Sequence, residues 1–227
     1  MIRHVEATGS TNDDVAALAR EGALEGLWLR AGRQGSGRGR QGRSWVSPPG
    51  NLYASTLVRL QAEDPPAPTL ALLAAVALHE AVSLYAGKVR IKWPNDLTAD
   101  GAKLAGILLE RQLNAVIVGF GVNLAHHPEL PGRASTSVRA LAGAAPEPGS
   151  FVETLTEIFA RWLARWRREG HAPILDAWRA AAHPKGTPLS TSEGDGLFDG
   201  LDDTGALRLR TADGAIHIIH AGDVFLL

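Results

Sequence analysis

Fourteen residues from Gly32 to Trp45 carry the most concentrated chemistry in this chain. They read GRQGSGRGRQGRSW, with five glycines, four arginines and no apolar side chain before Trp45. Guanidinium groups donate forked hydrogen bonds that suit phosphate or carboxylate, and glycine lets backbone N–H groups approach the same anion. Glycine also loses much backbone freedom on ordering, so we expect this loop to be mobile until an anion holds it. A solvated basic loop that binds nothing is the simpler alternative.

Two lysines and a polar turn are further candidates. Lys92 lies in the alternating run VRIKW, opposite Val, Ile and Trp, and an unpaired ammonium group is rare at a central strand position. A solvated edge strand explains Lys92 equally well. Lys103 follows an Asp-Gly turn, where a solvated lysine is ordinary. Asn95 and Asp96 follow Pro94 and could position a nucleotide or a metal, although an Asx-turn is the simpler interpretation.

Other glycine patterns are less specific. Gly37, Gly39 and Gly42 match GxGxxG, but that fingerprint needs a helix at its end, and the segment 47–50 (SPPG) forbids one. Further along the chain, three glycines interrupt apolar strands, which indicates close approach of a ligand or of another backbone, or else a bulge. These glycines are Gly106, Gly119 and Gly121.

The composition excludes several classes of protein. The 227 residues are 45% hydrophobic, and 23 basic against 24 acidic side chains give a net charge of −1, which argues against a surface built for nucleic acid. The absence of cysteine excludes disulfides and thiolate sites. No signal pattern or membrane-spanning run is present, so we expect a cytoplasmic protein without membrane contacts.

The periodicity predicts helices and strands that place these candidates. The glycine- and arginine-rich loop joins two strands. Lys92 lies in a later strand, and Lys103 begins one strand of a hairpin. We predict capping boxes at Thr11 with Asp14 and at Ser150 with Glu153. The predicted helices cover about 12–20, 69–86, 150–169 and 173–182, and the predicted strands cover 27–31, 51–60, 89–93, 103–110 and 115–122.

These elements predict an α+β fold with a mixed, mainly antiparallel sheet of about five strands and flanking helices. From Lys185 onward, short β runs alternate with turn signals at 202–205, 213–214 and 221–223, which is typical of a small β-barrel. We therefore predict two domains, 1–184 and 185–227.

Several motifs together resemble the biotin protein ligases, also called biotin–[acetyl-CoA carboxylase] ligases. The chain carries GSTN at 9–12, Gln34, GRGRQGR at 37–43 followed by Trp45, KWPND at 92–96, KLAGILLE at 103–110, GFGVNL at 119–124 and SV at 137–138. GRGRxGR followed some fifty residues later by KWPND and KLAGIL is highly specific. The resemblance implies a catalytic domain similar to class II synthetases and to the biotin and lipoate ligases, with an SH3-like C-terminal barrel.

The resemblance also implies a two-step ligation. Biotin and ATP, with Mg²⁺ on the phosphates, form biotinyl-5′-AMP, and a lysine of a biotin carboxyl carrier protein domain then attacks the mixed anhydride. The metal ligands are left open. A loop that folds over the adenylate would protect it from water, so substitution of Arg40 should accelerate loss of the intermediate.

Roles follow for the residues that match the family motifs. The catalytic group would be Lys103, Lys92 and Arg40, and the family match replaces the interpretation of Lys103 as merely solvated. Biotin would be bound by Ser10, Thr11, Asn12, Gln34, Arg38, Gly39, Arg40, Lys103 and Gly106. ATP would be bound by Arg40, Arg43, Trp45, Lys92, Asn95 and Asn123.

Two departures from the family pattern and two alternatives complete the interpretation. Position 41 is Gln where many members carry a basic residue, and Ser10 follows Met1 by only nine residues, so we expect a short form without the DNA-binding domain of the repressor members. One alternative is a lipoate-type ligase or acyl transferase of the same fold. The other is a nucleic-acid-binding module that uses the Gly/Arg loop, although no aromatic residues are interleaved among its arginines.

Overall fold

The main sheet of the computed structural model has seven strands, and all but one pair of neighbours run antiparallel. The structure describes residues 1–129 and 134–227. The strand order is β1-β2-β3-β7-β6-β5-β4, and β1 is parallel to β2. The strands are β1 (Ile2–Thr8), β2 (Trp28–Gln34), β3 (Leu52–Arg59), β4 (Val89–Lys92), β5 (Asp96–Ala99), β6 (Ala102–Gln112) and β7 (Ala115–Val122).

The predicted mixed, mainly antiparallel α+β fold is confirmed, but the estimate of five strands missed two. β1 is an edge strand with four exposed residues, so it lacks the alternation of a half-buried strand. β5 is buried along all four residues and begins at Asp96, within the predicted turn. The remaining predicted strands match in type, with boundaries shifted by up to three residues.

Five helices accompany the sheet. α2 is apolar on most sides and packs against α4 and α5 in the main core, as its composition predicts. The core also takes up Trp28, Phe120 and Phe159, whose rings stack or meet edge to face. The helices are α1 (Thr11–Arg20), α2 (Leu70–Ser83), α3 (Val138–Ala142), α4 (Pro148–Glu169) and α5 (Ala172–Ala181).

Both predicted capping boxes are wrong. The N-cap of α1 is Ser10 rather than Thr11, and its side chain makes no capping bond. The Thr11 hydroxyl donates to Gln34 Oε1 instead of capping the helix. α4 begins two residues before Ser150, with Pro148 in its first turn. Proline suits that position because its ring presets the helical φ and the missing N–H has no partner there anyway.

The C-terminal region forms a second, five-stranded antiparallel sheet with the order β11-β10-β9-β8-β12. The predicted small β module is therefore confirmed, whereas the boundary at 184/185 stays a prediction. No helix within the described residues is long and apolar enough to cross a membrane. The strands are β8 (Pro188–Thr191), β9 (Gly194–Leu201), β10 (Leu207–Arg210), β11 (Ile216–Ile219) and β12 (Val224–Leu226).

Arg167 on α4 ties distant parts of the main domain together. It donates to both oxygens of Glu25 at 2.6 and 2.9 Å, to Asp64 Oδ1 at 3.1 Å and to the carbonyl of Arg59 at 2.9 Å. The Asp64 side chain is only 5% exposed. Removal of the guanidinium would therefore leave a buried carboxylate without its cation.

We expect Arg167→Ala to lower the free energy of unfolding by about 2–3 kcal/mol, since hydrogen bonds to charged groups contribute about 1.5–3 kcal/mol. Urea unfolding followed by circular dichroism measures this change. The neighbouring Arg168 is 71% exposed, so Arg168→Ala should change stability by less than about 0.5 kcal/mol. Equal unfolding midpoints for the two variants would contradict the prediction.

Candidate active site

A cavity of about 390 Å³ lies between the main sheet, the Gly32 to Trp45 loop and the start of β12. Every residue to which the family resemblance assigns a role lines it. The structure thus brings together side chains more than a hundred positions apart in the chain, although their individual roles stay predictions. The shared lining comprises Ser10, Thr11, Asn12, Gln34, Arg38, Gly39, Arg40, Arg43, Trp45, Lys92, Asn95, Lys103, Gly106 and Asn123.

One end of the cavity is a buried polar network around the start of α1. Gln34 Oε1 accepts from the Thr11 backbone N–H at 2.9 Å, and Gln34 Nε2 donates to Ser47 Oγ at 3.1 Å, which sets the direction of this amide. Ser55 Oγ lies 2.7 Å from Thr11 Oγ1 and donates to Asn12 Oδ1 at 2.7 Å. These groups offer donors and acceptors to a small polar ring.

Glycines provide the space for two side chains of the site. A Cβ on Gly121 would lie 2.6 Å from Cε2 of Trp45, and one on Gly119 would collide with Oδ1 of Asn12. Gly106 also faces the Trp45 ring and Lys103. The sequence left approach by a ligand or another backbone and a bulge open at these glycines, and the groups that approach are instead side chains of this protein.

Asp96 holds the two predicted catalytic lysines side by side. Its Oδ1 lies 2.6 Å from Lys103 Nζ and its Oδ2 lies 3.2 Å from Lys92 Nζ, and the carboxylate is only 12% exposed. Lys92 Nζ also donates to the carbonyl of Val224 at 2.7 Å, and Lys103 Nζ lies 5.4 Å from the ring centre of Trp45. The two ammonium groups thus form one positive cluster at the middle of the cavity.

The sequence left two interpretations of Lys92, a functional cation within the sheet and a solvated lysine on an edge strand, and each is partly correct. β4 is an edge strand, as the solvated alternative requires, yet the Lys92 side chain is only 15% exposed. The C-terminal module contacts this lysine, because Val224, the first residue of β12, accepts the hydrogen bond from Lys92 Nζ. The Asx-turn interpretation of Asp96 is wrong, because this residue starts β5 and pairs with both lysines.

The arginines of the loop reach three different parts of the protein. Arg38 donates to both oxygens of Asp13 at 2.7 Å, and these hydrogen bonds raise the pKa of its guanidinium. Arg40 Nη1 donates to the carbonyl of Gly222 at 3.1 Å and to Asn95 Oδ1 at 3.4 Å. Arg43 pairs with Asp223. The loop therefore closes one side of the cavity against the C-terminal module.

The two predicted asparagines, Asn95 and Asn123, lie in the cavity lining and bond to backbone carbonyl groups. Asn95 Nδ2 donates to the carbonyl of Ile107 at 2.5 Å, and Asn123 Nδ2 donates to the carbonyl of Thr136 at 3.0 Å. Asn123 is buried. These two bonds use the Nδ2 groups only, so each side-chain oxygen keeps acceptor capacity.

His183 marks the junction between the cavity and the C-terminal module. Its Nε2 lies 2.8 Å from Oγ1 of Thr98, a residue of the cavity lining. Burial and the positive charges of Lys92 and Arg90 lower the pKa of this histidine, which favours the neutral ring. A neutral imidazole adds no further charge next to the lysine cluster.

Sequence reasoning missed several groups of the site. Ser55 gives a weak signal, as a polar residue in a strand whose first seven residues are all buried. Glu110 is the last residue of the KLAGILLE motif, but nothing in that pattern shows what its carboxylate contacts. No side-chain pattern indicates that residues 222–224 belong to the site, because the carbonyl groups of Gly222 and Val224 make the contacts with Arg40 and Lys92.

Acidic and histidine side chains form no compact set typical of a metal centre. Among residues 1–129 and 134–227, no group of three or more such side chains is close enough to hold a metal ion. Asp96 lies in the cavity but is already paired with two lysines.

Comparison with known proteins identifies relatives along the whole chain. A model described as the Biotin/lipoate A/B protein ligase family matches residues 6–124, and one described as the Biotin protein ligase C terminal domain matches residues 195–227. The chain is 41% identical over 96% of its length to a biotin–[acetyl-CoA-carboxylase] ligase of Paracoccus denitrificans, of which it covers 97%. It is 32% identical over 97% of its length to the bifunctional ligase/repressor BirA of Bacillus subtilis, of which it covers 72%.

Solved structures share the fold. The biotin protein ligase of Aquifex aeolicus in complex with biotin and ATP superposes with a TM-score of 0.88 at 23% identity, covering 100% of this chain and 99% of that one. The Leishmania major enzyme in complex with biotinyl-5-AMP gives a TM-score of 0.71 at 26% identity, with 97% and 98% of the two chains covered. Since the family model spans more than half of the sequence and the relatives match nearly all of it, this chain belongs to the biotin/lipoate A/B protein ligase family.

Proposed function

We propose that this protein is an ATP-dependent biotin protein ligase. It activates biotin to biotinyl-5′-AMP and transfers the biotinyl group to a lysine of a biotin carboxyl carrier protein domain. The observation that carries this proposal is the single cavity in which a polar pocket, two lysines on Asp96 and the arginine loop meet. The 41% identical Paracoccus relative bears the name of this activity.

In the first step, a carboxylate oxygen of biotin attacks the α-phosphorus of ATP, and the bond to pyrophosphate breaks. Both reactants are anions, so the reaction needs fixed positive charge where they meet. Lys103 and Lys92 supply that charge. Asp96 orients both ammonium groups through one carboxylate, and it stays buried between them. The polar network at Ser10 to Asn12 and Gln34 holds the biotin ring at the other end.

Mg²⁺ enters with the nucleotide in this proposal. Asp96 is paired with the two lysines, so ATP phosphates and water would supply most of the ligands of a bound ion, which suits a cation that keeps much of its hydration shell. When bound, the ion neutralises phosphate charge. The protein side chains position the reacting groups around it.

The closed loop protects the adenylate from water. Arg40 reaches Gly222 and Arg43 reaches Asp223, so the loop and the C-terminal module cover the cavity together. A carrier lysine must reach the acyl carbon before AMP leaves. These contacts therefore have to open for the second step, which makes the 222–224 segment part of the path for the carrier domain.

The carrier that we propose is the acetyl-CoA carboxylase type, since the Paracoccus relative is named for that substrate. The cytoplasm is the proposed compartment, because a chain without cysteine suits a reducing environment. Absence of operator binding also stays a prediction.

The nucleic-acid alternative is not favoured. Arg38, Arg40 and Arg43 all engage acidic or carbonyl groups of the protein itself, around a closed cavity. A module that tracks a nucleic acid strand would present such arginines on an open groove with aromatic side chains between them.

One assay tests the proposed function directly. The purified protein is mixed with MgATP and labelled biotin, with and without a biotin-accepting carrier domain. We expect labelled adenylate and pyrophosphate without the carrier, and a labelled carrier lysine with it. Lipoate in place of biotin is the control for the lipoate-type alternative. Pyrophosphate release that depends on lipoate rather than biotin would overturn the proposal.

Gly121→Ala should weaken nucleotide binding because the new Cβ displaces the Trp45 ring. Trp45 is the aromatic surface that we assign to adenine, and base stacking on an aromatic ring is worth about 1–3 kcal/mol. We expect the KM for ATP to rise about tenfold while the KM for biotin changes less than about twofold. Gly87→Ala is the matched control, since a Cβ there meets open space. An unchanged KM for ATP would contradict the assignment of Trp45.

A further inference from the structure

Glu110 connects the polar pocket to the loop with its two carboxylate oxygens. Its Oε2 accepts from Asn12 Nδ2 at 2.7 Å, and its Oε1 accepts from Arg38 Nη2 at 3.3 Å. Asn12 and Glu110 are 98 positions apart in the sequence. The carboxylate is partly exposed at the rim, and the amide of Asn12 is buried.

The orientation of the Asn12 amide depends on this contact. An ionised carboxylate only accepts hydrogen bonds, so Glu110 requires Nδ2 of Asn12 to face it. Oδ1 then faces the Ser55 hydroxyl, which donates to it at 2.7 Å. Gly119 makes this position of the amide possible, since Oδ1 occupies the space that a Cβ at position 119 would fill. One Nδ2 hydrogen and one Oδ1 lone pair remain in a fixed direction for a ligand.

Arg38 has two acidic partners of different kinds. Asp13 accepts from both of its Nη atoms at 2.7 Å, whereas the Asn12 amide nitrogen donates to Glu110. Of the two carboxylates, Glu110 is the one that contacts both Arg38 and Asn12. The closed position of the loop and the direction of the amide are therefore linked through one side chain.

We propose that Glu110 is a positioning residue that couples the biotin ring pocket to closure of the loop. The inference rests on the proposed function, in which Asn12 contacts the ureido ring of biotin. A ring that bonds to the correctly turned amide stabilises the Glu110 contact with Asn12, and the same carboxylate then retains Arg38. Glu110 thus contributes to biotin affinity and to retention of the adenylate without contacting either ligand.

Glu110→Gln keeps the shape of the side chain but replaces one acceptor oxygen by a donor. The new amide can donate to Asn12 as well as accept, so the direction of Asn12 is no longer unique. We expect the Kd for biotin to rise about tenfold and the dissociation rate of biotinyl-AMP to rise by a similar factor, a size consistent with loss of a hydrogen bond to a charged group. Tryptophan fluorescence titration and stopped-flow chase measure the two quantities.

A double-mutant cycle with Asn12→Ala distinguishes positioning from a general structural effect. In the Asn12→Ala background, Glu110→Gln should change the Kd for biotin by less than about twofold. Asp13→Asn is the matched comparison, because it alters the other partner of Arg38, and its effect should be the same in both backgrounds. Urea unfolding midpoints verify that all variants fold.

Additive effects of Glu110→Gln and Asn12→Ala on biotin affinity would overturn the inference about Glu110. The proposed function is judged separately on the unaltered protein. If that protein forms biotinyl-AMP from biotin and MgATP while the cycle is additive, only the inference fails. If it forms no adenylate, both fail.

Discussion

Lys103→Gln is expected to lower the rate of biotinyl-AMP formation by about 100- to 1,000-fold. Removal of one group that stabilises developing negative charge in an active site has an effect of this size. Lys103 Nζ lies between Asp96 Oδ1 and the ring of Trp45, in the middle of the cavity where the biotin carboxylate and the α-phosphate would meet. Glutamine retains a donor and most of the length but carries no charge.

The fold should tolerate this change, because Lys92 still neutralises Asp96. Single-turnover pyrophosphate release with saturating biotin and MgATP isolates the chemical step. Lys88→Gln is the control, since Lys88 is exposed and outside the cavity lining. A rate within about threefold of the unaltered protein would show that Lys103 is not the central cation.

Lys92→Gln should reduce the same rate less than Lys103→Gln does. Lys92 donates to the carbonyl of Val224, so part of its hydrogen-bonding capacity serves the contact with β12. The Lys103 side chain is 39% exposed against 15% for Lys92, so its ammonium group is the more accessible of the two to a ligand. The reverse order of the two effects would exchange the roles that we assign to them.

Arg40→Ala is expected to accelerate dissociation of biotinyl-AMP by about 100-fold. Arg40 is the residue of the loop that bonds to the main domain at Asn95 and to the C-terminal module at Gly222. Its loss removes both contacts and the positive charge that faces the adenylate phosphate in our proposal. Hydrogen bonds to charged groups contribute about 1.5–3 kcal/mol, and about 2.8 kcal/mol corresponds to a factor of 100.

A chase of preformed labelled adenylate with excess unlabelled biotin and ATP measures this rate. Arg33→Ala is the matched control, because Arg33 is exposed on β2 and lies outside the cavity lining. Equal dissociation rates for the two variants would end the proposal that the loop is a lid over the intermediate. Release of adenylate into solution should also rise in proportion, which an assay for reaction of the free anhydride with hydroxylamine can detect.

Local patterns in the sequence predict much of the frame that positions the site. Alternation in VRIKW indicates the buried face of Val89 and Ile91, and the hairpin of β6 and β7 follows from two apolar runs and a short turn. The helix starts were less predictable. α4 begins at Pro148, two residues before Ser150. Proline at the first helical position therefore overrides the capping box predicted at Ser150 and Glu153.

The strands that were missed show where periodicity is uninformative. β1 is a mostly exposed edge strand, and its pairing with β2 depends on a partner about 26 positions away. β5 has only four residues and is buried on both faces, so it has no alternation at all. Short strands of these two kinds are recognised by their neighbours in the sheet rather than by their own residues.

Residue types and short spacings predict the reactive groups of this protein: a glycine- and arginine-rich loop, Lys92 and Lys103 in their motifs, and a polar turn before α1. These features are local, since residue type and spacing within a few positions decide them. The folded chain is needed to show which carboxylate lies between Lys92 and Lys103, that Glu110 accepts from Asn12, and that residues 222–224 meet the loop. The physical reason is that such contacts join residues up to about 180 positions apart through the packing of the sheet and the C-terminal module, and no local pattern records them.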